Sequence, residues 1–323
     1  MKKKTVYIWM SAMLGLSVAL FAGIYFLDLQ AKVKPIVASA NPTGEVEFRQ
    51  TMFGSFEQPL KKPMDVAKIG EFIYVSDTGN KQVQVFDQSG SPINVFGKKG
   101  TKEGEFQFPY GIDGDKNGNV YVADLYNGNI SIFTSKGEFQ NYFKEQDEKD
   151  KAIKSPGGLR IVDEKLYVTD IEKHKVFVFD LKGKKLMEIG EPGSGDGQFI
   201  APNNLAIDDD LNVYVSDSGN NRVQIFNKDG KFQKVINGSR DGKGQSTFVN
   251  PRGVGVDAKG NVYIVNNLSH NITIYNKEGK EEKVLGGMGS DNSQLYLPNG
   301  LYIDERGTVF VTDTINQRVS VFY

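Results

Sequence analysis

The amino-acid sequence predicts an all-β fold, a six-bladed β-propeller of four-stranded antiparallel blades, preceded by one N-terminal transmembrane helix. Three observations carry that reading: a motif that recurs six times, a glycine-rich composition with few helix-forming runs, and one apolar run near the N-terminus. The motif is a short apolar strand ending in Asp or Asn. Its copies are Ile73-Tyr-Val-Ser-Asp77, Val120-Tyr-Val-Ala-Asp124, Leu166-Tyr-Val-Thr-Asp170, Val213-Tyr-Val-Ser-Asp217, Val262-Tyr-Ile-Val-Asn266 and Val309-Phe-Val-Thr-Asp313. Successive end residues, or anchors, lie 46 to 49 residues apart. A fixed period in this range marks a solenoid or propeller, because one small sheet cannot bury both of its faces alone.

The composition fits. Gly supplies 36 of the 323 residues, which favours short strands joined by tight turns. Lys and Arg number 39 against 40 Asp and Glu, a formal net charge of -1. No global basic field attracts nucleic acid, so RNA or DNA is not an expected partner. Cysteine is absent, which excludes disulfides, thiolate metal sites and a lipidated cysteine.

Met1-Lys2-Lys3-Lys4 precedes an uncharged, mostly apolar run from Val6 to Leu27. As a helix that run is about 33 Å long, enough to cross a hydrocarbon core of roughly 30 Å. The lysines before it place the N-terminus in the cytoplasm and the rest of the chain outside. A cleaved signal peptide has an apolar region of about 7–15 residues with small residues soon after. Here the span is longer, and Ala38-Ser39-Ala40 lies well beyond it, which favours an uncleaved signal-anchor. The expected organisation is a lysine cluster and membrane helix over 1–27, with 6–27 in the bilayer. A linker over 28–44 and a propeller over 45–323 follow, displayed at a bacterial cell surface.

Each unit opens with Pro and a small apolar strand, as in Pro109-Tyr-Gly-Ile-Asp113 and Pro251-Arg-Gly-Val-Gly-Val-Asp257. The anchor strand is second, a segment such as Arg222-Val-Gln-Ile-Phe226 is third, and a polar hairpin leads to a fourth, such as Phe232-Gln-Lys-Val-Ile236. Four short antiparallel strands make a propeller blade. Leu60, Phe106, Ile153, Phe199, Phe248 and Leu295, each three residues before an opening Pro, are expected to plug the gaps between blades. The sixth unit ends at Tyr323 with three strands. Residues 45–54 resemble the fourth-strand segments and are expected to complete that blade, removing an exposed sheet edge.

The units Pro202-Asn-Asn-Leu-Ala-Ile-Asp208, Val213-Tyr-Val-Ser-Asp217 and Asn220-Asn-Arg-Val-Gln-Ile-Phe226 resemble the NHL repeat, as does the preceding Gly195-Asp-Gly-Gln-Phe199. The resemblance covers residues 45–323. Units 3 and 5 depart most, with no Gly-rich lead-in over 144–154 and with Asn266 in place of the anchor Asp. It implies a platform for binding proteins or ligands, with some RNA binders and a few enzymes among its members. Fold alone does not choose among these.

One carboxylate per unit at an equivalent position reads as a structural anchor: Asp77, Asp124, Asp170, Asp217 and Asp313, with Asn266 in unit 5. Asp113-Gly-Asp-Lys-Asn-Gly118 matches the opening of an EF-hand calcium loop, but a strand rather than a helix follows, so a hairpin turn is expected. His174 and His270, the only histidines, fall four residues after their anchors. They are candidates for one channel mouth but too few for a zinc site. No catalytic set and no cofactor is expected, calcium and zinc being the only candidates.

The residues after each opening Pro vary where their neighbours repeat: Met64, Tyr110, Gly157, Asn203, Arg252 and Asn299. With Tyr126, Tyr296 and the two histidines they form the expected binding face at the channel mouth. The sequence therefore points to a membrane-anchored, extracytoplasmic propeller that binds a protein or small ligand on the face bearing Tyr110, Asn203, Arg252 and Asn299. The alternative is a metal-dependent lyase or hydrolase centred in the channel.

Overall fold

The computed structural model describes residues 46–146, 151–239 and 244–323. The membrane span expected over 6–27 and the linker over 28–44 lie outside these residues. Among the described residues no helix is long and apolar enough to cross a membrane.

The described residues form six four-stranded antiparallel sheets, one per repeat, plus two short parallel ladders in the connections between blades. Their inner strands are Val66–Ile69, Pro109–Gly114, Pro156–Val162, Pro202–Ile207, Pro251–Val256 and Pro298–Ile303. In blades 2 to 6 the opening proline pairs with the anchor of the second strand, as in Pro109 with Asp124 and Pro298 with Asp313. Prolines and anchors thus share one end of the channel, here the proline face. The hairpins joining first and second strands lie at the other end, the hairpin face. Register slips by one residue just after each of these prolines, between Pro202 and Leu205 for example, which turns two successive side chains toward the axis.

The core consists of six clusters, each shared by consecutive blades. Phe106 packs between Val83 and Phe96 of blade 1 and Val120 and Phe133 of blade 2. Phe199, Phe248 and Leu295 do the same farther round the ring, and Leu60 fills the gap between blades 6 and 1. Ile153 occupies the equivalent place before blade 3. Burying a side chain of this size contributes about 1.5–3 kcal/mol, so the ring is held together mainly by surfaces between repeats.

Phe48–Met52 is the outer strand of the sixth sheet, paired with Arg318–Phe322 from Phe48–Phe322 to Met52–Val319. Glu47 and Tyr323 exchange backbone hydrogen bonds at the hairpin-face end of this ladder. The chain therefore joins the propeller at the hairpin face. Inner strands crowd the axis: a Cβ on Gly111 would sit 2.4 Å from the Gly157 carbonyl oxygen, so only glycine lets these two strands approach.

Candidate functional site

The anchor carboxylates are buried and point back into their own blades. Asp77 accepts the Lys61 amide, Asp217 the Ile200 amide and Asp313 the Tyr296 amide, while Asp124 and Asp170 each take two amides from the equivalent segment. Each thereby ties the segment before the opening proline to the second strand. Arg222 and Arg318 donate from Nε to Asp217 and Asp313 at 2.8 Å. Asn266 differs, donating to Asn271 and Thr273 and leaving its own Oδ1 buried without a partner.

His174 and His270 occupy a left-handed turn position four residues after the anchor, with φ of 56° and 58°. The same position holds Lys81, Gly128, Asn221 and Gln317, all with positive φ. Nδ1 of His174 accepts the Ala201 amide at 2.9 Å, and Nδ1 of His270 accepts the Leu297 amide at 3.0 Å. Asn221 Oδ1 accepts the Asn250 amide in the same way. Each donating amide belongs to the residue just before the next blade's opening proline, so the histidines act as links between blades and do not converge.

The channel interior contains a polar plug that the sequence reading did not single out. Arg160 of blade 3 donates to Asp65 of blade 1 at 3.1 Å, to the Leu159 carbonyl at 2.7 Å and to the Leu301 carbonyl of blade 6 at 2.9 Å. Asp65 also accepts from Asn204 of blade 4, and Asp113 accepts the Ile161 amide at 2.8 Å. These residues stand two or four places after an opening proline, where other units carry Gly, Ala or Tyr. Scanning those offsets for charged or amide side chains would have found them.

On the proline face, Tyr110, Asn203 and Arg252 come together from blades 2, 4 and 5. The Tyr110 hydroxyl donates to Asn203 Oδ1, and Arg252 Nη1 donates to the Tyr110 oxygen at 3.4 Å. Tyr110 and Asn203 are buried in the mouth and Arg252 is half-buried. Asn299 is buried and donates to the Leu297 carbonyl and Thr314 within its own blade, apart from the other three. Tyr126 is exposed and packs on Phe108 at 4.7 Å between ring centres.

A cavity of about 340 Å³ opens at the opposite, hairpin end of the channel. Lys68, Asp113 and Tyr302 line one side, and Ile161, Ala206 and Val254 are among the apolar groups on the other. Burial pushes the Asp113 carboxyl up to about 6, against the pull of nearby Arg160. The Tyr302 hydroxyl is pushed up as well, by burial and then by Asp113. The calcium-like loop is a hairpin turn: Asp115 Oδ1 accepts the amides of Asn117 and Asn119, and Oδ2 accepts Asn119 Nδ2. Among the described residues no group of three or more His, Cys, Asp or Glu is placed to hold a metal.

Comparison with known proteins agrees with the architecture. Residues 118–215 match the family described as DUF5128, a 6-bladed beta-propeller, and residues 295–322 match the NHL repeat. Protein lin-41 of Caenorhabditis elegans is 47% identical over 45 residues, a match spanning 14% of this chain and only 4% of that protein. Among solved structures, a protein of unknown function from Bacteroides thetaiotaomicron aligns with a TM-score of 0.63 at 16% identity, over 86% of this chain and 75% of its own. A gluconolactonase from Xanthomonas campestris gives 0.61 at 13%, over 88% and 98%. Virginiamycin B lyase from Staphylococcus aureus, in a structure with quinupristin, gives 0.59 at 12%, over 86% and 99%. At such identities the likeness is one of fold.

Proposed function

We propose that this chain is a membrane-anchored, extracytoplasmic propeller that binds a protein or small ligand on its proline face. One observation carries the choice of face. Of two rim positions, two before each opening proline and two after each anchor, the first is apolar or aromatic in blades 4, 5 and 6 and the second in blades 5 and 6. They hold Ile200 in blade 4, Val249 and Leu268 in blade 5, and Tyr296 and Ile315 in blade 6, whereas blade 3 has Lys154 and Glu172 and blade 1 has Lys61 and Gly79. Backbone bonds from Leu268 to Val249 and from Ile315 to Tyr296 hold these pairs side by side. Leu268 is 52% exposed and Val249 45%. A grouped apolar arc left in water on one rim favours a macromolecular partner that covers it.

A photoreactive amino acid at position 268 should capture a specific partner in native membranes, and one at Lys228 on a third-to-fourth-strand hairpin should not. Equal capture from both positions, or none from 268, would remove the support for this face.

A second reading is an enzyme acting in the hairpin-face cavity, as the lyase and lactonase folds suggest. It is favoured by Asp113, whose raised carboxyl beside that cavity is suited to proton transfer near neutral pH. The binding reading is the stronger, because Lys68 in that cavity is already paired with Asp304 and Glu305, and no group of three or more His, Cys, Asp or Glu among the described residues is placed to hold a metal.

A further inference from the structure

Two arginines lie in inner strands, and their surroundings differ. Arg160 has a carboxylate at 3.1 Å and carbonyl acceptors from its own blade and two others. Arg252 has one side-chain hydrogen bond among the described residues, the 3.4 Å contact with Tyr110, and its Nε is buried with no acceptor. No carboxylate among the described residues pairs with it. Tyr110 spends its own proton on Asn203 Oδ1, and Asn203 Nδ2 donates to no acceptor among those residues, so of the three side chains only the Arg252 Nε is a fully buried orphan. This mouth therefore presents more donors than acceptors, and no carboxylate among the described residues to receive them. A buried donor without an acceptor costs about 1–3 kcal/mol, and more when charged, so a ligand bringing acceptors is favoured there.

We infer that Arg252, Asn203 and Tyr110 form an anion site in the proline-face mouth that takes the carboxylate of an aromatic or apolar ligand. The inference rests on the proline face being the binding face and adds the chemistry of what it binds. One guanidinium among neutral donors balances one negative charge, which suits a carboxylate better than a phosphate dianion. The ligand body has a surface waiting: Phe108 stacks beside Tyr110 at 6.1 Å and 20°, and Tyr126 extends the rings outward. Lys81 lies over Phe108 at 5.3 Å and adds positive potential. Burial lowers the Lys81 pKa, the Asp124 carboxylate raises it in part, and Lys99, Lys62 and Lys61 lower it again, so three further lysines lie near enough to be felt on this side of the ring.

The test is equilibrium dialysis of the full chain in detergent micelles with radiolabelled benzoate, with benzamide and inorganic phosphate as competitors. Saturable binding of one benzoate, resistant to both competitors, is expected. Arg252→Gln should weaken it at least tenfold while melting no lower than the parent, because it removes a poorly satisfied cation. Tyr110→Phe, which keeps the ring, should weaken it a few-fold. Absence of benzoate binding overturns the proposal, as does binding unchanged in Arg252→Gln. Displacement by phosphate makes this a phosphate site, and displacement by benzamide shows that the ring alone is recognised; either outcome overturns the carboxylate assignment. A lowered melting temperature in Arg252→Gln with binding intact assigns Arg252 to structure. None of these results alters capture from position 268, so the two readings fail separately.

Discussion

Asp113 shows how a single side chain can carry a cost that the fold tolerates. Its carboxyl is buried near both Arg160 and Asp65, and burial outweighs the arginine's attraction, so its pKa rises from 3.8 to about 6. An acid held above its unfolded value binds more protons folded than unfolded between about pH 4 and 6, and stability falls as pH rises through that window. Two pKa units correspond to about 3 kcal/mol. Asp113→Asn should therefore stabilise the domain by up to about 3 kcal/mol above pH 6, with the gain gone near pH 4. Denaturant melts at pH 4, 5 and 7.5 measure this. A loss of stability at every pH would show that the carboxylate is needed by Arg160 and Ile161. The anchors are the opposite case, while the histidines, expected on the binding face, instead accept the Ala201 and Leu297 amides. The repeated positions of the anchors made them legible as parts of the blade, and the bonds of the five aspartates to backbone amides give the reason.

Blades depend on strands far apart in sequence only at the closure. Phe48–Met52 pairs with Arg318–Phe322, and Met52 is fully buried in the cluster between blades 6 and 1. Removing residues 46–52 deletes that side chain and bares the last strand's edge. Losing a buried Met alone costs about 2–5 kcal/mol, and an open edge invites pairing with other chains. The truncated chain should aggregate or melt well below the parent, measured by light scattering during a thermal ramp. An unchanged, reversible melt would mean that the ring closes without this strand. The closing segment could be read from its likeness to the other fourth strands, whereas its register against Val319 and Phe322 came only with the paired partner.

For the whole molecule, orientation relative to the membrane is the open consequence of the proposed anchor. With no cysteine in the chain, Lys228→Cys introduces a single thiol at an exposed hairpin. A membrane-impermeant maleimide should label it in intact cells if the propeller lies outside. Labelling only after lysis would place the propeller in the cytoplasm and sink the signal-anchor reading. Glu47 and Phe48 lie at the hairpin-face end of the closing ladder, and the apolar arc and donor-lined mouth lie on the opposite, proline face.

The sequence by itself determined the period, the number of blades, the plugs between them and the roles of repeated residues. Those are local patterns, and a pattern copied six times averages out the accidents of any one copy. Tertiary structure alone decided which variable residues meet. Tyr110 and Asn203 are 93 residues apart, and Arg160 and the Leu301 carbonyl 141, with only ring closure bringing them within bonding distance. It also separated Asn299 from the other residues expected on that face, and it divided two inner-strand arginines that look alike in sequence. Arg160 is surrounded by acceptors and locks the channel, whereas Arg252 meets almost none.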